Sequence, residues 1–210
     1  MSQDSVKVLD RVYGLDQTLC NGKKYIYKPP PGSRGHQYFL SPAYSTGSVT
    51  LKGKCYQDIS LNYDLLNQQL LLHYTDETGA MNILEVSKAW LKSFSLGDKN
   101  FEFLNLEQEP RFFQTLGEGT ARILYYWRKT LNVEGSIGSF YLTFSAPERN
   151  SYVLMGGQLK PFSTKRSLIK LFDPGHRSEI KSYLRKNKVK VKKASDQVMA
   201  KMITFIGNLK

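Results

Sequence analysis

Apolar and polar side chains alternate with a period of two along several segments, which is the pattern of a half-buried β-strand. Val49 and Leu51 alternate with polar neighbours. The same pattern recurs at Ile59, Leu61 and Tyr63 and at Phe140, Leu142 and Phe144. A period of two places these apolar side chains on one face of an extended chain. The pattern therefore predicts strands that bury one face in a core and expose the other.

Turn residues separate the predicted strands at intervals too short for crossover helices. A turn near Asn67 leads into the apolar run Leu70 to Tyr74, which predicts a hairpin there. Gly156-Gly157 predicts another hairpin, with a two-residue turn. Further strands are predicted around Asn82 to Val86, Asn100 to Leu104 and Ala121 to Leu131. A parallel sheet would need connections of about a dozen residues. The sequence thus predicts an antiparallel body of about eight or nine strands.

Helix signals lie at both ends of the chain. Asp4 or Ser5 can cap a short helix that ends at Gly14, and Ser163, Asp173 and Ser195 can each cap a later one. The last predicted helix carries an apolar face at helical spacing, formed by Val198, Met199, Met202, Ile203 and Ile206. We expect this face in the core, although methionine also suits an adaptable binding surface.

These signals define the expected fold class and domain organisation. The prediction is an α+β fold: the antiparallel β-rich body, a short N-terminal helix and two or three C-terminal helices. A chain of 210 residues suffices for one ordinary domain, with residues 1–160 as the mainly β body and 161–210 as a helical C-terminal part. No apolar run is long enough for a transmembrane helix, and the first residues lack the apolar stretch of a signal peptide.

The positive charge of the chain is concentrated near its C-terminus. The formal net charge is +12, and residues 161–210 hold 13 Lys and Arg against 3 Asp and Glu. This asymmetry fits a basic end that meets an acidic partner, and it also fits an ordinary solvated surface. The sequence therefore indicates where an anionic partner would bind without requiring one.

The densest basic run lies within this C-terminal part. Its candidate contacts with a polyanion are Arg185, Lys186, Lys188, Lys190, Lys192 and Lys193. Because Lys188, Lys190 and Lys192 alternate with valines, the run predicts an extended segment with valines inward and lysines outward. Lysine-rich edges also protect strands from aggregation, which is the alternative interpretation. Five lysines and one arginine argue against recognition of a specific nucleic-acid sequence.

The two cysteines allow one disulfide bond. Cys20 precedes Asn21-Gly22, and Cys55 follows Gly53-Lys54, so both are expected beside turns at strand edges. There the two backbones could approach within disulfide range, which would imply an oxidising compartment. Two unrelated reduced thiols remain the alternative.

Motifs with a defined chemistry are absent from the sequence. It contains no phosphate-binding loop, no cluster of metal ligands at a recognised spacing and no nucleophile elbow, so we expect no cofactor and no metal. His36 is the one candidate for a loop site, because it lies in a stretch rich in Gly and Pro. His36 and Asp64 could join a serine in a hydrolase-type site, but many proteins of this size permit such a set.

Short strings distributed over nearly the whole chain carry a resemblance. They are Tyr13-Gly14-Leu15-Asp16, Asn21-Gly22-Lys23-Lys24-Tyr25, Gly35-His36-Gln37, Leu61-Asn62-Tyr63-Asp64 with Asn67-Gln68-Gln69, Tyr125-Tyr126-Trp127-Arg128-Lys129 and Lys192-Lys193-Ala194-Ser195-Asp196. In these strings the chain resembles exported cell-envelope proteins of the Bacteroidota, a family without an assigned activity. The resemblance implies a periplasmic or outer-membrane-associated location, with a mature chain that starts at Gln3. Without a signal peptide before Gln3, the expected location is the cytoplasm.

The functional expectation follows from the charge, the missing motifs and the resemblance. We expect a non-enzymatic, envelope-associated binding or accessory protein whose partner is another protein or an anionic envelope surface. The first alternative is an intracellular protein that binds nucleic acid without sequence preference. The second alternative is a hydrolase-type enzyme.

Overall fold

The structure is a computed structural model that describes residues 16–76, 78–106, 109–136 and 138–209. Within these residues the chain forms thirteen strands, three α-helices and one 3₁₀ turn at Pro174–His176. The strands are β1 (Gly22–Lys24), β2 (Ser45–Leu51), β3 (Lys54–Asp64), β4 (Gln69–Thr75), β5 (Met81–Val86), β6 (Leu91–Leu96), β7 (Lys99–Leu106), β8 (Glu109–Leu116), β9 (Ala121–Arg128), β10 (Leu131–Ser136), β11 (Ser139–Phe144), β12 (Glu148–Met155) and β13 (Gln158–Phe162). The helices are α1 (Lys165–Lys170), α2 (Arg177–Lys186) and α3 (Asp196–Gly207). The helix predicted between Asp4 and Gly14 lies outside the described residues.

The predicted α+β fold class is wrong, because the described chain is mostly β. Eleven strands form one antiparallel sheet in the order β1-β5-β4-β3-β2-β6-β7-β8-β9-β12-β13, and β10 and β11 pair separately. The period-two pattern of apolar residues does not predict strands that lack a buried face. All three residues of β1 are exposed, and so is nearly all of β10. The long strand predicted from Ala121 to Leu131 is two strands, interrupted after Arg128.

The chain divides into two compact units. The first comprises the described residues up to Lys99 together with Arg128–Glu148, and the second comprises Asn100–Trp127 and the described residues from Arg149 onward. Each unit has its own buried residues.

The first unit places the consecutive hairpin strands β2 to β5 side by side, with β1 paired to β5 and β6 paired to β2, around a strongly apolar centre. Strands β3 and β4 pair with Asp64 opposite Gln69, so the turn spans Leu65–Gln68, as the sequence predicts. Leu61 and Tyr63 are fully buried on β3, and Leu70 and Leu71 are fully buried on β4. Because consecutive residues of β4 are buried, both faces of this strand are covered. For this reason its central residues are apolar in succession and do not alternate between apolar and polar residues.

The second unit packs three short helices on strands of the sheet. Its core joins Ile123 and Val153 from the strands to residues from every helix. The helical residues that are most deeply buried are Leu168, Ile180, Leu184, Met199, Met202 and Ile203. The methionines therefore belong to the core, as predicted, whereas Val198 is 38% exposed and the expectation that it is buried is wrong.

The helix boundaries follow from side-chain caps. Thr164 caps α1 and forms a capping box with Ser167, so the cap lies one residue after the predicted Ser163. Ser195 caps α3, as predicted. The Asp173 carboxylate accepts a hydrogen bond from the Gly175 amide at 2.8 Å and caps the 3₁₀ turn Pro174–His176, whereas α2 itself begins after His176 without a side-chain cap. Among the described residues no helix is long and apolar enough to cross a bilayer.

The packing of α3 requires glycine at position 117. Gly117 has φ +77°, which side chains other than glycine rarely adopt, and a Cβ atom there would collide with the Ile203 side chain. The chain can therefore turn directly beneath α3 only because this position has no side chain.

We expect Met202→Asp to lower the free energy of unfolding by about 3 kcal/mol or more, because it places an unpaired charge in the core. Met202 is fully buried. The matched control is Thr204→Asp, at an exposed position of the same helix, which should cost about 1 kcal/mol or less. Chemical denaturation of both variants measures the difference. Equal stability of the two variants would contradict the packing described for α3.

Candidate anion-binding surface

A groove between α1 and α2 is lined by basic side chains. Arg177, Lys181 and Arg185 recur every four residues along α2, which places them on one face of the helix. Lys165, Arg166 and Lys170 line the groove from α1. The groove encloses about 770 Å³, and no acidic side chain is among its described lining residues. Two adjacent helix faces thus form one concave cationic surface.

The apolar sides of the same helices fix the orientation of this surface. Ile169 is buried and contributes to the groove floor, while Ser178 and Ser182 add hydroxyl groups to its wall. Ile180 and Leu184 reach the core from the neighbouring strip of α2, about 80° around the helix from the basic stripe. Because an α-helix has 3.6 residues per turn, burial of this apolar side leaves the basic residues at the solvent-facing positions.

Arg177 has a structural role within the groove. Its Nε donates to the Phe172 carbonyl at 3.0 Å, and its Nη2 donates to the Lys170 carbonyl at 3.0 Å. The guanidinium thus satisfies carbonyl groups at the end of α1 and links the two helices. Arg177 therefore holds the groove together, in addition to contributing charge.

The other five cations of the groove are available to a ligand. Lys165, Arg166, Lys170, Lys181 and Arg185 are exposed, and none forms an ion pair with a described residue. Like charges at this spacing repel one another, and a bound anion relieves the repulsion. The groove thus has the electrostatics of an anion-binding surface.

The side chains of the predicted basic run do not lie together on one surface in the structure. Val189 and Val191 are buried and the lysines beside them are exposed, as the alternation predicts. The segment is, however, a succession of turns, with the Lys193 amide donating to the Lys190 carbonyl at 2.7 Å. Of the predicted contacts, Arg185 lines the groove and Lys192 lines a different pocket, whereas Lys186, Lys188, Lys190 and Lys193 line neither.

Most of the cations in the groove lie outside the basic run that the sequence predicts as the polyanion contact. Lys165, Arg166, Lys170 and Lys181 were not among the predicted contacts, although each lies in a predicted helix. One feature of the sequence does indicate most of these cations. Arg177, Lys181 and Arg185 are spaced four residues apart, and so are Arg166 and Lys170. That spacing reveals one basic stripe per helix, but it does not reveal that the two stripes face each other.

His36 lies in the first unit beside a buried lysine. The His36 Nδ1 atom accepts from the Tyr38 amide at 3.2 Å and lies 3.5 Å from the Lys129 Nζ atom. Lys129 is 7% exposed and donates to the His36 carbonyl at 2.7 Å. Burial and the charge of Lys129 lower the pKa of His36, and burial also lowers the pKa of Lys129. His36 is therefore part of a network that holds its loop in place.

The Asp64 carboxylate is occupied by other donors. It accepts from the Tyr25 hydroxyl at 2.6 Å and from the amides of Leu66 and Asn67, each at 2.9 Å. No hydrogen bond joins Asp64 to His36 in the part of the chain that the structure describes. A hydrolase site needs its carboxylate to orient the histidine, so His36 and Asp64 do not form the pair that this alternative requires.

No disulfide bond joins Cys20 to Cys55 in the described chain. Cys20 ends a turn in which its amide donates to the Asp16 carbonyl at 2.9 Å. Cys55 is exposed near the start of β3, opposite Thr50. The predicted bridge is therefore not seen in the described chain.

Comparison of the chain with models of known protein families, with curated protein sequences and with solved structures finds no match. The resemblance to exported envelope proteins therefore stays a prediction.

We expect His36→Asn to make stability less sensitive to acid. Folding lowers the pKa of His36 below its ordinary value of 6.5. As the pH falls, the unfolded chain therefore takes up a proton at this site at a higher pH than the folded chain does. Acidification from about pH 7.5 to about pH 5.5 therefore destabilises the wild type. Asparagine can accept the Tyr38 hydrogen bond but does not titrate. The free energy of unfolding should fall less steeply in the variant, and identical slopes would contradict the network described for His36.

Proposed function

We propose that this protein is a non-enzymatic binding protein that attaches to an anionic lipid surface through the groove between α1 and α2. The observation that carries the proposal is a set of exposed cations along a concave surface, none of which has an acidic partner among the described residues. Each Lys or Arg near an anionic membrane contributes about 1 kcal/mol of attraction. Five such side chains on one unit supply enough attraction for reversible membrane association.

The composition of the groove favours a lipid surface over a nucleic acid. Single-stranded nucleic acid is usually held by aromatic side chains that stack on its bases, and no aromatic residue is among the described residues that line this groove. Ile169 and the serine hydroxyls suit headgroups with phosphate and alcohol groups. The resemblance of the sequence to exported envelope proteins supports the same choice, because an envelope protein meets lipid headgroups and does not meet chromosomal DNA.

The test is sedimentation of the protein with lipid vesicles. We expect binding to vesicles that contain phosphatidylglycerol and little binding to pure phosphatidylcholine vesicles. The triple variant Lys165→Gln, Lys181→Gln, Arg185→Gln should bind about a hundredfold more weakly, because it loses about 3 kcal/mol of attraction. Binding of the wild type should weaken steeply as salt rises, because salt screens the attraction.

The matched control removes the same charge from another place. Lys23, Lys24 and Lys28 are exposed in the first unit, and their replacement by glutamine should change vesicle binding much less than the groove variant does. A second control replaces Lys186, Lys188 and Lys190, which lie in the basic run but outside the groove. Equal losses in all three variants would show that net charge, and not the groove, governs binding.

A nucleic-acid arm tests the alternative. Binding of the wild type to a DNA duplex is measured at the same salt concentrations as binding to vesicles. Tighter binding to DNA than to phosphatidylglycerol vesicles, with loss in the groove variant, would overturn the lipid proposal in favour of the nucleic-acid alternative. Absence of binding to both would overturn the assignment of the groove as an anion-binding surface.

A further inference from the structure

The second unit contains another concave pocket, which shares no residue with the groove between α1 and α2. It lies beside the start of β12, the end of β13 and the segment around Lys192, and it encloses about 830 Å³. The side chains that matter here are Arg149, Ser151, Phe162, Ser163, Val191 and Lys192. The pocket has the size of sites that take small organic ligands.

Arg149 is held by aromatic rings. Its guanidinium carbon lies 4.1 Å from the centre of the Tyr125 ring and 5.6 Å from the centre of the Trp127 ring. Arg149 forms no ion pair with a described residue. The attraction between its charge and the ring faces orients the guanidinium without using its N–H groups. Arg149 can therefore offer two parallel donors to a planar or tetrahedral anion.

The aromatic support beneath Arg149 is itself fixed by buried hydrogen bonds. Trp127 donates from Nε1 to the Gln114 side-chain oxygen at 2.8 Å, and Gln114 donates from Nε2 to the Asp196 carboxylate at 2.7 Å. Gln114 and Tyr125 are almost completely buried. A support of this kind keeps Arg149 in one place before a ligand arrives, which reduces the entropy lost on binding.

The rest of the pocket combines donors with an apolar floor. Lys192 is exposed and adds a second positive charge, and Ser151 and Ser163 add hydroxyl groups. Phe162 and Val191 are each 6% exposed and provide the apolar side. No acidic residue is among the described residues that line the pocket. The arrangement fits a ligand with an anionic group at one end and an apolar body at the other.

We propose that this pocket binds a phosphate monoester with an apolar substituent. Arg149 and Lys192 hold the phosphate oxygens, the serine hydroxyls donate to the same group, and the substituent lies against Phe162 and Val191. A phosphate monoester carries close to two negative charges and three terminal oxygens, which suit two cations and two hydroxyl groups better than a singly charged carboxylate does. The proposal does not depend on the lipid-binding groove, because the two sites use different residues.

Isothermal titration calorimetry with phenyl phosphate tests the proposal. We expect saturable binding that is at least about tenfold tighter than that of inorganic phosphate, since the ring buries apolar area that the free ion lacks. Benzyl alcohol, which has the ring without the charge, should not bind measurably. Benzoate should bind more weakly than phenyl phosphate. Equal or tighter binding of benzoate would overturn the assignment to phosphate.

Variants locate the binding. Arg149→Gln should weaken phenyl phosphate binding at least about tenfold, and Arg149→Lys should give a smaller loss because it keeps the charge without the paired donors. Lys192→Gln and Ser151→Ala should each weaken the binding of phenyl phosphate. These two variants test the pocket if a change at Arg149 prevents folding. Thermal unfolding of each variant checks that the core is intact.

The groove variant is the matched control for the pocket. Lys165→Gln, Lys181→Gln, Arg185→Gln should leave phenyl phosphate binding unchanged while it reduces vesicle binding. Loss of phenyl phosphate binding in that variant, with retention in Arg149→Gln, would overturn the pocket and assign the ligand to the groove. Absence of saturable binding by the wild type would also overturn it.

Discussion

Burial of the apolar sides of α1, α2 and α3 against the strands of the second unit is the interaction on which both candidate sites depend. Helices of 6 and 10 residues are too short to persist alone in water, so α1 and α2 exist because Leu168, Ile180 and Leu184 reach the core. The same burial turns the basic residues of both helices outward. It also buries Val191, which leaves the adjacent Lys192 at the rim of the second pocket.

The two sites hold positive charge in different ways. In the groove, exposed basic side chains share a surface on which the described residues supply no acidic partner, and Arg177 holds the helices together through the carbonyl groups at the end of α1. In the pocket, aromatic faces fix Arg149 in place. A groove of exposed cations suits a repeated anionic surface, because each contact is weak and none is specific. A fixed arginine beside an apolar floor suits a single small anion.

The buried polar groups of the first unit serve a structural purpose. Asp64 is fully buried, and its carboxylate satisfies amides of the β3–β4 turn and the hydroxyl of Tyr25. Lys129 reaches the carbonyl of His36 and holds that loop in place. Such networks stabilise a structure only when each member has a partner. The sequence singles out His36 as the candidate for a loop site. In the structure the contacts of His36 hold its own loop in place.

Local sequence determined the features that depend on neighbours along the chain. The β3–β4 turn, the cap and buried methionines of α3 and the inward valines at 189 and 191 follow from turn chemistry and periodicity. Tertiary packing decided the rest. Exposed strands such as β1 and β10 form because a partner strand supplies their hydrogen bonds, so their sequences carry no alternation, and Cys20 and Cys55 meet different neighbours. Likewise the groove needs two helices side by side, and the pocket needs Arg149 above two rings from another strand. Distances between residues far apart in sequence are set by the packed core, and no short-range pattern encodes them.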